Sequence, residues 1–191
     1  GFHAAARAGA QVGQTAVILG GGCIGLCTLM ALHARGVGGV YLFDLIDKRL
    51  KIAEELGAAG AYNAKHVDPV EKIYELTGGK GADVVFETAG AVQTTKQTAH
   101  LVRRGGVVVI VGQGGNASVE YDFGTVTAKE IDLRTIFRYR NLYPTVMEAV
   151  AGGKLPLKKI VSDVFRFDEV DKALEYCVTH KEDIVKAVIA F

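Results

Sequence analysis

The sequence predicts an α/β fold built as a doubly wound parallel sheet, and three observations carry that expectation. Short apolar runs of strand length recur at 15–19, 40–43, 82–87 and 106–111. Segments with helical spacing of apolar residues separate them, joined by short loops punctuated with glycine. Finally, 191 residues at 49% hydrophobic content suffice to fill the core of one large domain, alone or with an appendage.

Each element has a local reason. The opening residues read as a helix through Ala4, Ala5, Ala6, Arg7 and Ala8 that stops at Gly9. A turn at 11–14 leads into the first strand, Thr15-Ala16-Val17-Ile18-Leu19, then a helix over 23–35 and a second strand ending at Asp44. Residues 47–56 place Leu50, Ala53 and Leu56 on one side of a helix stopped by Gly57, and 60–63 is a short strand. Asp68-Pro69-Val70-Glu71 is a helix start, with an acidic cap and a first-turn proline, running to Leu76 and Gly78-Gly79. A strand at 82–87, a helix at 92–104, a valine-rich strand at 106–111, a strand at 131–137 and a helix at 142–151 continue the alternation. From Leu155 the pattern changes: 159–165 reads as extended, Asp168 as the cap of a last helix bearing Val170, Ala173, Leu174 and Cys177, and 184–191 as a final strand.

Chemistry concentrates where the first strand meets its helix. Gly20, Gly22 and Gly25 fit G-x-G-x-x-G, in which successive glycines allow a tight turn, close approach of a pyrophosphate, and close packing of helix on strand. The helix beginning at Cys23 presents unpaired N–H groups and the positive end of its dipole to such an anion. Asp44 ends the second strand ~20 residues after the last glycine, where a carboxylate can accept from both hydroxyls of a ribose. A purely structural glycine turn is the competing reading. Strand, glycines, helix, strand and acid in that order favour dinucleotide binding, on the three-layer Rossmann arrangement. The loops Glu87-Thr88-Ala89-Gly90 and Gly112-Gln113-Gly114-Gly115-Asn116 follow the two central strands and are expected to line the same crevice, although either could be a plain turn. Cys23, at the helix N-terminus, is expected to be a reactive thiol if exposed.

Other classes find little support. Twenty-two basic residues against 21 acidic ones give a net charge of +1 without a basic patch, so nucleic acid and membrane surfaces are not expected partners. The apolar run 16–34 is long enough to suggest a membrane span, but three consecutive glycines interrupt it and a buried α/β core yields the same pattern. Cys23, Cys27 and Cys177 are odd in number and lack disulfide or metal spacing, which suits a reducing cytoplasm. His3, His33, His66, His100 and His180 also lack metal spacing and are read as structural or surface residues. The first residues, Gly1-Phe2-His3, carry no initiating methionine and already look like the inside of a helix, as expected of a piece of a longer protein.

The whole chain resembles the cofactor-binding part of the medium-chain, zinc-containing alcohol dehydrogenases, most closely their sorbitol and xylitol dehydrogenase branch. Four windows carry the resemblance: Gly20 to Gly25; Asp44 with Arg49; Val111-Gly112-Gln113-Gly114; and Ile136-Phe137-Arg138-Tyr139 with Asn141 and Pro144. It implies NAD-dependent, zinc-assisted oxidation of a polyol to a ketose. It also implies that Gly20, Gly22, Cys23, Ile24 and Gly25 form the cofactor turn, that Asp44 holds the adenosine ribose, and that Arg49 flanks adenine or ribose. Val111, Gly112 and Gln113, with Ile136, Phe137 and Arg138, would frame the nicotinamide, Arg138 and Tyr139 also facing substrate; Thr88 and Gly90, from the loop after the strand at 82–87, are further cofactor-binding candidates. Residues 1–137 would be the NAD(P)-binding domain and 138–191 a segment returning to the catalytic domain, in a dimer or tetramer paired through the strand near 131–137.

The departures bear on function. The family's zinc ligands come from a preceding domain and have no counterpart here, so the chain by itself is expected to bind NAD and turn nothing over. Cys23 stands where this branch usually has proline. Asp44 repels a 2′-phosphate and Leu45 offers no arginine in its place, so NAD is expected over NADP. Arg49 could instead be a solvated charge near Glu54, and Arg138 and Tyr139 an ordinary strand end. Competing readings are an S-adenosylmethionine-dependent methyltransferase, whose glycine spacing differs; a zinc-free reductase of the same superfamily; and a non-enzymatic NAD-binding or redox-sensing domain. A short-chain dehydrogenase is disfavoured because no tyrosine is followed by lysine four residues later.

Overall fold

A computed structural model describes residues 1–115 and 118–191; Asn116, at the end of the expected second glycine loop, lies outside the described residues. After helix α1 (Phe2–Ala8), the chain alternates through β1 (Thr15–Leu19), α2 (Cys23–Ala34), β2 (Gly39–Asp44), α3 (Asp47–Glu55), β3 (Gly60–Asn63), α4 (Pro69–Leu76), β4 (Ala82–Glu87), α5 (Val92–Leu101) and β5 (Val102–Ile110). Helix α6 (Phe123–Lys129) and strand β6 (Asp132–Thr135) complete a six-stranded parallel sheet in the order β3-β2-β1-β4-β5-β6. This is the doubly wound Rossmann arrangement, and the order reverses between β1 and β4.

Alternation along the strands explains the two buried layers. Ala16 and Ile18 of β1 and Val40 and Leu42 of β2 face α1, α2 and α3, whereas Val17, Leu19 and Phe43 face the side of α4 and α5. Helix α2 is apolar almost all round because it is covered on both sides; Leu26, Leu29, Ala31 and Leu32 are fully buried. Helix α4 begins as its sequence demands: Asp68 Oδ1 accepts the N–H groups of Val70 and Glu71 at 2.8 and 3.0 Å, ahead of Pro69.

Several boundaries depart from expectation for identifiable reasons. The helix expected over 92–104 stops at Leu101, and Lys129 caps it from outside, its ammonium donating to the carbonyls of Ala99, His100 and Val102 at 2.9–3.1 Å. Strand β5 therefore starts early, and Arg103 pairs with Asp83 at 2.6 Å beside a register shift between Ala82 and Val84. Helix α6, which carries Lys129, is an addition to the expected elements; Asp122 caps it by accepting the Thr125 N–H at 2.9 Å. The strand expected over 131–137 is confined to Asp132–Thr135, leaving Ile136, Phe137 and Arg138 beyond it.

Past α7 (Tyr143–Ala151), part of the segment expected to be extended winds into a 3-10 turn, Leu157–Ile160, before β7 (Asp163–Arg166). Helix α8 (Val170–Thr179) follows a second such turn, in which the capping contact comes from Glu169, whose carboxylate accepts the Arg166 N–H; Asp168 is paired with the Arg166 guanidinium instead. Leu174, expected on the packed face of α8, is 64% exposed, and only Ala173 of that helix is buried. The closing strand β8 (Ala187–Ala190) pairs parallel with β7 in a separate two-stranded sheet.

Candidate functional site

The carboxyl ends of β1 and β2 and the loops after β3 and β4 line one crevice, and backbone geometry assigns each glycine of the first turn a different task. Gly20 has φ 105°, and a Cβ there would lie 2.8 Å from the Ala89 nitrogen. A Cβ on Gly25 would overlap the Gly20 carbonyl oxygen. Around Gly22 nothing lies within 4 Å, so that face is open to a ligand. Gly22 is also the N-cap of α2 and brings no capping side chain, which leaves the first N–H groups of the helix available to an anion.

Asp44 braces this turn from β2. Its Oδ2 accepts the Gly21 N–H at 2.6 Å and its Oδ1 the Ile46 N–H at 2.9 Å, with 8% of the residue exposed. Each oxygen keeps a second lone pair. Arg49 lies 3.7 Å from Asp44 Oδ2, and its guanidinium donates to the Lys181 carbonyl at 2.8 Å, tying the loop after α8 to the β2 end. Lys48 makes a parallel tie to the Asp183 carbonyl at 2.6 Å. Asp44, Leu45, Arg49, His66, Ala89 and Thr94 are among the walls of a crevice of about 520 Å³.

The other two loops are locked to each other. Thr88 Oγ1 donates to the Leu19 and Gly20 carbonyls at 2.9 and 2.8 Å, holding the first turn against β4. Gly90 has φ 68°, and a Cβ on Gly112 or Gly114 would overlap its backbone, so the two loops meet with no room for side chains. Glu87, fully buried, ties them together: Oε1 accepts from the Ala89 and Gly90 N–H groups and the Thr94 hydroxyl at 2.7–3.1 Å, and its carbonyl accepts the N–H groups of Val111 and Gly112.

Of the expected site residues, Gly20, Asp44 and Arg49 line the crevice; Gly22, Cys23, Ile24 and Gly25 continue the turn beyond its lining, with Cys23 packed against the layer under α2, and Thr88, Gly90, Val111, Gly112 and Gln113 belong to the interlocked loops. Ile24 is 48% exposed at the turn. Ile136 remains tied to β5 through its N–H on the Ile110 carbonyl at 3.2 Å. Phe137 and Tyr139 are solvent-exposed, Arg138 adopts a left-handed φ of 55° with its guanidinium 5.4 Å above the Phe137 ring, and Tyr139 stacks edge-on against Tyr143. Sequence reading passed over the wall built by residues 64–69 and by Gln93, Thr94 and Gln97, and the bracing role of Glu87. The position of residues 64–69 directly after a short strand was the available signal.

A model of the family described as zinc-binding dehydrogenase matches residues 23–152. The chain belongs to that family. Within that family it corresponds to the cofactor-binding part: it spans about half the length of the curated relatives it matches. It is 39% identical over 190 residues to an Escherichia coli (strain K12) zinc-type alcohol dehydrogenase-like protein, covering 99% of this chain and 54% of that one. Against the sorbitol dehydrogenase of Bacillus subtilis (strain 168) the identity is 34% over 189 residues, with the same coverage. Among solved structures, an Escherichia coli oxidoreductase/dehydrogenase of unknown specificity superposes with a TM-score of 0.95 at 39% identity, over 98% of this chain and 54% of that one. Zinc itself does not fit here, since no group of three or more His, Cys, Asp or Glu could hold a metal among the described residues. A dinucleotide does fit: Gly22 is open, the α2 N–H groups are uncapped, and Asp44 adjoins the crevice. Among the described residues no helix is long and apolar enough to cross a membrane.

Proposed function

We propose that this chain is the NAD-binding half of a zinc-dependent dehydrogenase that oxidises a sorbitol- or xylitol-like polyol at a secondary alcohol. The observation that carries the reading is the open, uncapped turn at Gly22 beside the backbone-anchored Asp44. The α2 N–H groups would take the pyrophosphate and Asp44 the adenosine ribose, with Arg49 beside it. Thr88 and Gly90, with Val111, Gly112 and Gln113, would fix the nicotinamide side, and Ile136, Phe137, Arg138 and Tyr139 would close it towards substrate. NAD, when bound, would supply the carbon that accepts hydride; the residues of this chain position it and keep its ring oriented.

The zinc would be held by residues outside this chain, to which 138–191 would return. Leu45 beside Asp44 supports NAD over NADP, because neither side chain offers a partner for a 2′-phosphate. The exposed edge of β6, with Leu133 40% exposed, supports pairing of two subunits through that strand. The odd, unbridged set of cysteines supports a cytoplasmic location.

The test is NADH formation by the full-length protein with zinc and either sorbitol or xylitol, alongside NADH binding by residues 1–191 alone. Turnover by the full-length protein, with cofactor binding and no turnover by the piece, is expected. Turnover of sorbitol by the isolated piece, or failure of the piece to bind NADH, overturns the assignment.

A further inference from the structure

We propose that Glu87 is the countercharge of the oxidised nicotinamide, a buried carboxylate under the cofactor loops that favours the cationic ring of NAD over the neutral ring of NADH. The inference rests on the reading of the crevice as an NAD site, and adds to it a residue that sets the balance between the two forms of the cofactor.

Glu87 is the last residue of β4 and has no exposed surface. Full burial of a glutamate normally goes with a partner of opposite charge, because the carboxylate gives up its hydration. Glu87 has no such partner: it belongs to none of the ion pairs among the described residues. Dipoles hold it instead. Oε1 accepts the Ala89 and Gly90 N–H groups at 3.1 and 2.9 Å and the Thr94 hydroxyl at 2.7 Å, a load suited to an ionised oxygen. Oε2 is buried as well and accepts nothing among the described residues.

That unpaired oxygen lies against Gly112. A Cβ on Gly112 would be 2.6 Å from Oε2 and would overlap the Gly90 backbone nitrogen, so the carboxylate sits at the junction of the loops after β4 and β5, where glycine adds no side chain to cover it. These are the loops assigned above to the nicotinamide side.

Asp44 and Glu87 are the two buried acids among the described residues, and they differ in one respect. Asp44, at the adenosine end, has the Arg49 guanidinium 3.7 Å away, whereas Glu87 has no cation. The ligand groups expected at the two ends differ in the matching way. Ribose is neutral, but the oxidised ring carries a unit positive charge that is cancelled when hydride adds. A fixed negative charge in a water-excluded junction attracts the first form of the ring and not the second. Glu87 therefore lowers Kd for NAD more than Kd for NADH, and with it the reduction potential of the bound couple.

The experiment measures Kd of the full-length protein for NAD, NADH and ADP-ribose by calorimetry, in the wild type, Glu87→Gln and Glu87→Asp. Glutamine keeps an acceptor at the loop N–H groups and removes the charge; aspartate keeps the charge. Glu87→Gln is expected to raise the ratio of Kd for NAD to Kd for NADH roughly tenfold, the scale of one charge acting through a partly screened interior, which raises the potential of the bound couple by about 30 mV. Glu87→Asp should leave that ratio close to the wild-type value, and ADP-ribose, which has no nicotinamide ring, should bind all three proteins alike. An unchanged ratio in Glu87→Gln overturns the proposal, as does a change of the same size in Glu87→Asp. Equal weakening of all three ligands, or failure of Glu87→Gln to fold, makes Glu87 a brace for the loops and overturns it too. Failure of the wild type to bind NAD, NADH and ADP-ribose would instead remove the cofactor reading itself.

Discussion

Asp44 Oδ2 accepts the Gly21 N–H at 2.6 Å, so the acid that ends β2 is held by the same turn it is expected to assist. That contact fixes the carboxylate 23 residues away in sequence before any ligand arrives. Asp44→Ala should leave the Gly21 and Ile46 N–H groups without their acceptor, lowering stability by about 1–3 kcal/mol. It should also narrow the preference for NADH over NADPH in fluorescence titrations. An unchanged ratio of the two affinities would remove Asp44 from cofactor selection.

Gly25, inside α2, and Gly22, its N-cap, should separate folding from binding. Gly25→Ala drives a methyl into the Gly20 carbonyl and should cost ~3 kcal/mol or more by urea unfolding. Gly22→Ala meets open space at φ −68° and ψ −177°, so stability should shift by no more than about 0.5 kcal/mol. Its methyl would project where the pyrophosphate is expected, so NADH affinity should fall at least ~10-fold. Equal effects of the two substitutions on stability would refute the division of roles.

Glu87 offers a test of the loop junction. Its Oε1 holds three donors, and Oε2 accepts nothing from the protein among the described residues. Glu87→Gln keeps an acceptor in place and should retain most of the melting temperature. Glu87→Ala abandons the Ala89 and Gly90 N–H groups and should cost on the order of 1–3 kcal/mol. If the junction positions the nicotinamide, Glu87→Ala should lower kcat of the full-length protein more than it raises KM for NAD, with Glu87→Gln rescuing it.

Asp83 gives a pH signature on the opposite end of the sheet. Burial pushes its carboxyl upward, but the Thr15 N–H at 2.8 Å and the Arg103 guanidinium at 2.6 Å outweigh it and hold the pKa below the ordinary 3.8. A depressed folded-state value means that the unfolded chain takes up the proton first as pH falls. The contribution is therefore present above that ordinary value and is lost as pH falls through the lower folded one. Urea unfolding of Asp83→Asn should show a shallower decline between pH 5 and pH 2 than the parent, roughly the window in which such a carboxylate titrates. Parallel curves would mean that the pair contributes nothing.

The order of strand, glycine turn, helix, strand and acid was legible in the residues alone, because each piece is specified locally: Gly20 by its positive φ, α4 by Asp68 and Pro69, β1 and β2 by runs that must be buried on both faces. Tertiary structure decided what depends on distant partners. The end of α5 is set by Lys129, 28 residues beyond Leu101, and no local signal at Val102-Arg103-Arg104 announces it. Asp44 could be placed near a ribose from spacing, yet only the folded chain shows both its oxygens anchored by backbone N–H groups and Arg49 reaching across to Lys181. The physical reason is range: caps, turns and periodicity act over a few residues, whereas the crevice is made by strand ends that only the assembled sheet brings together.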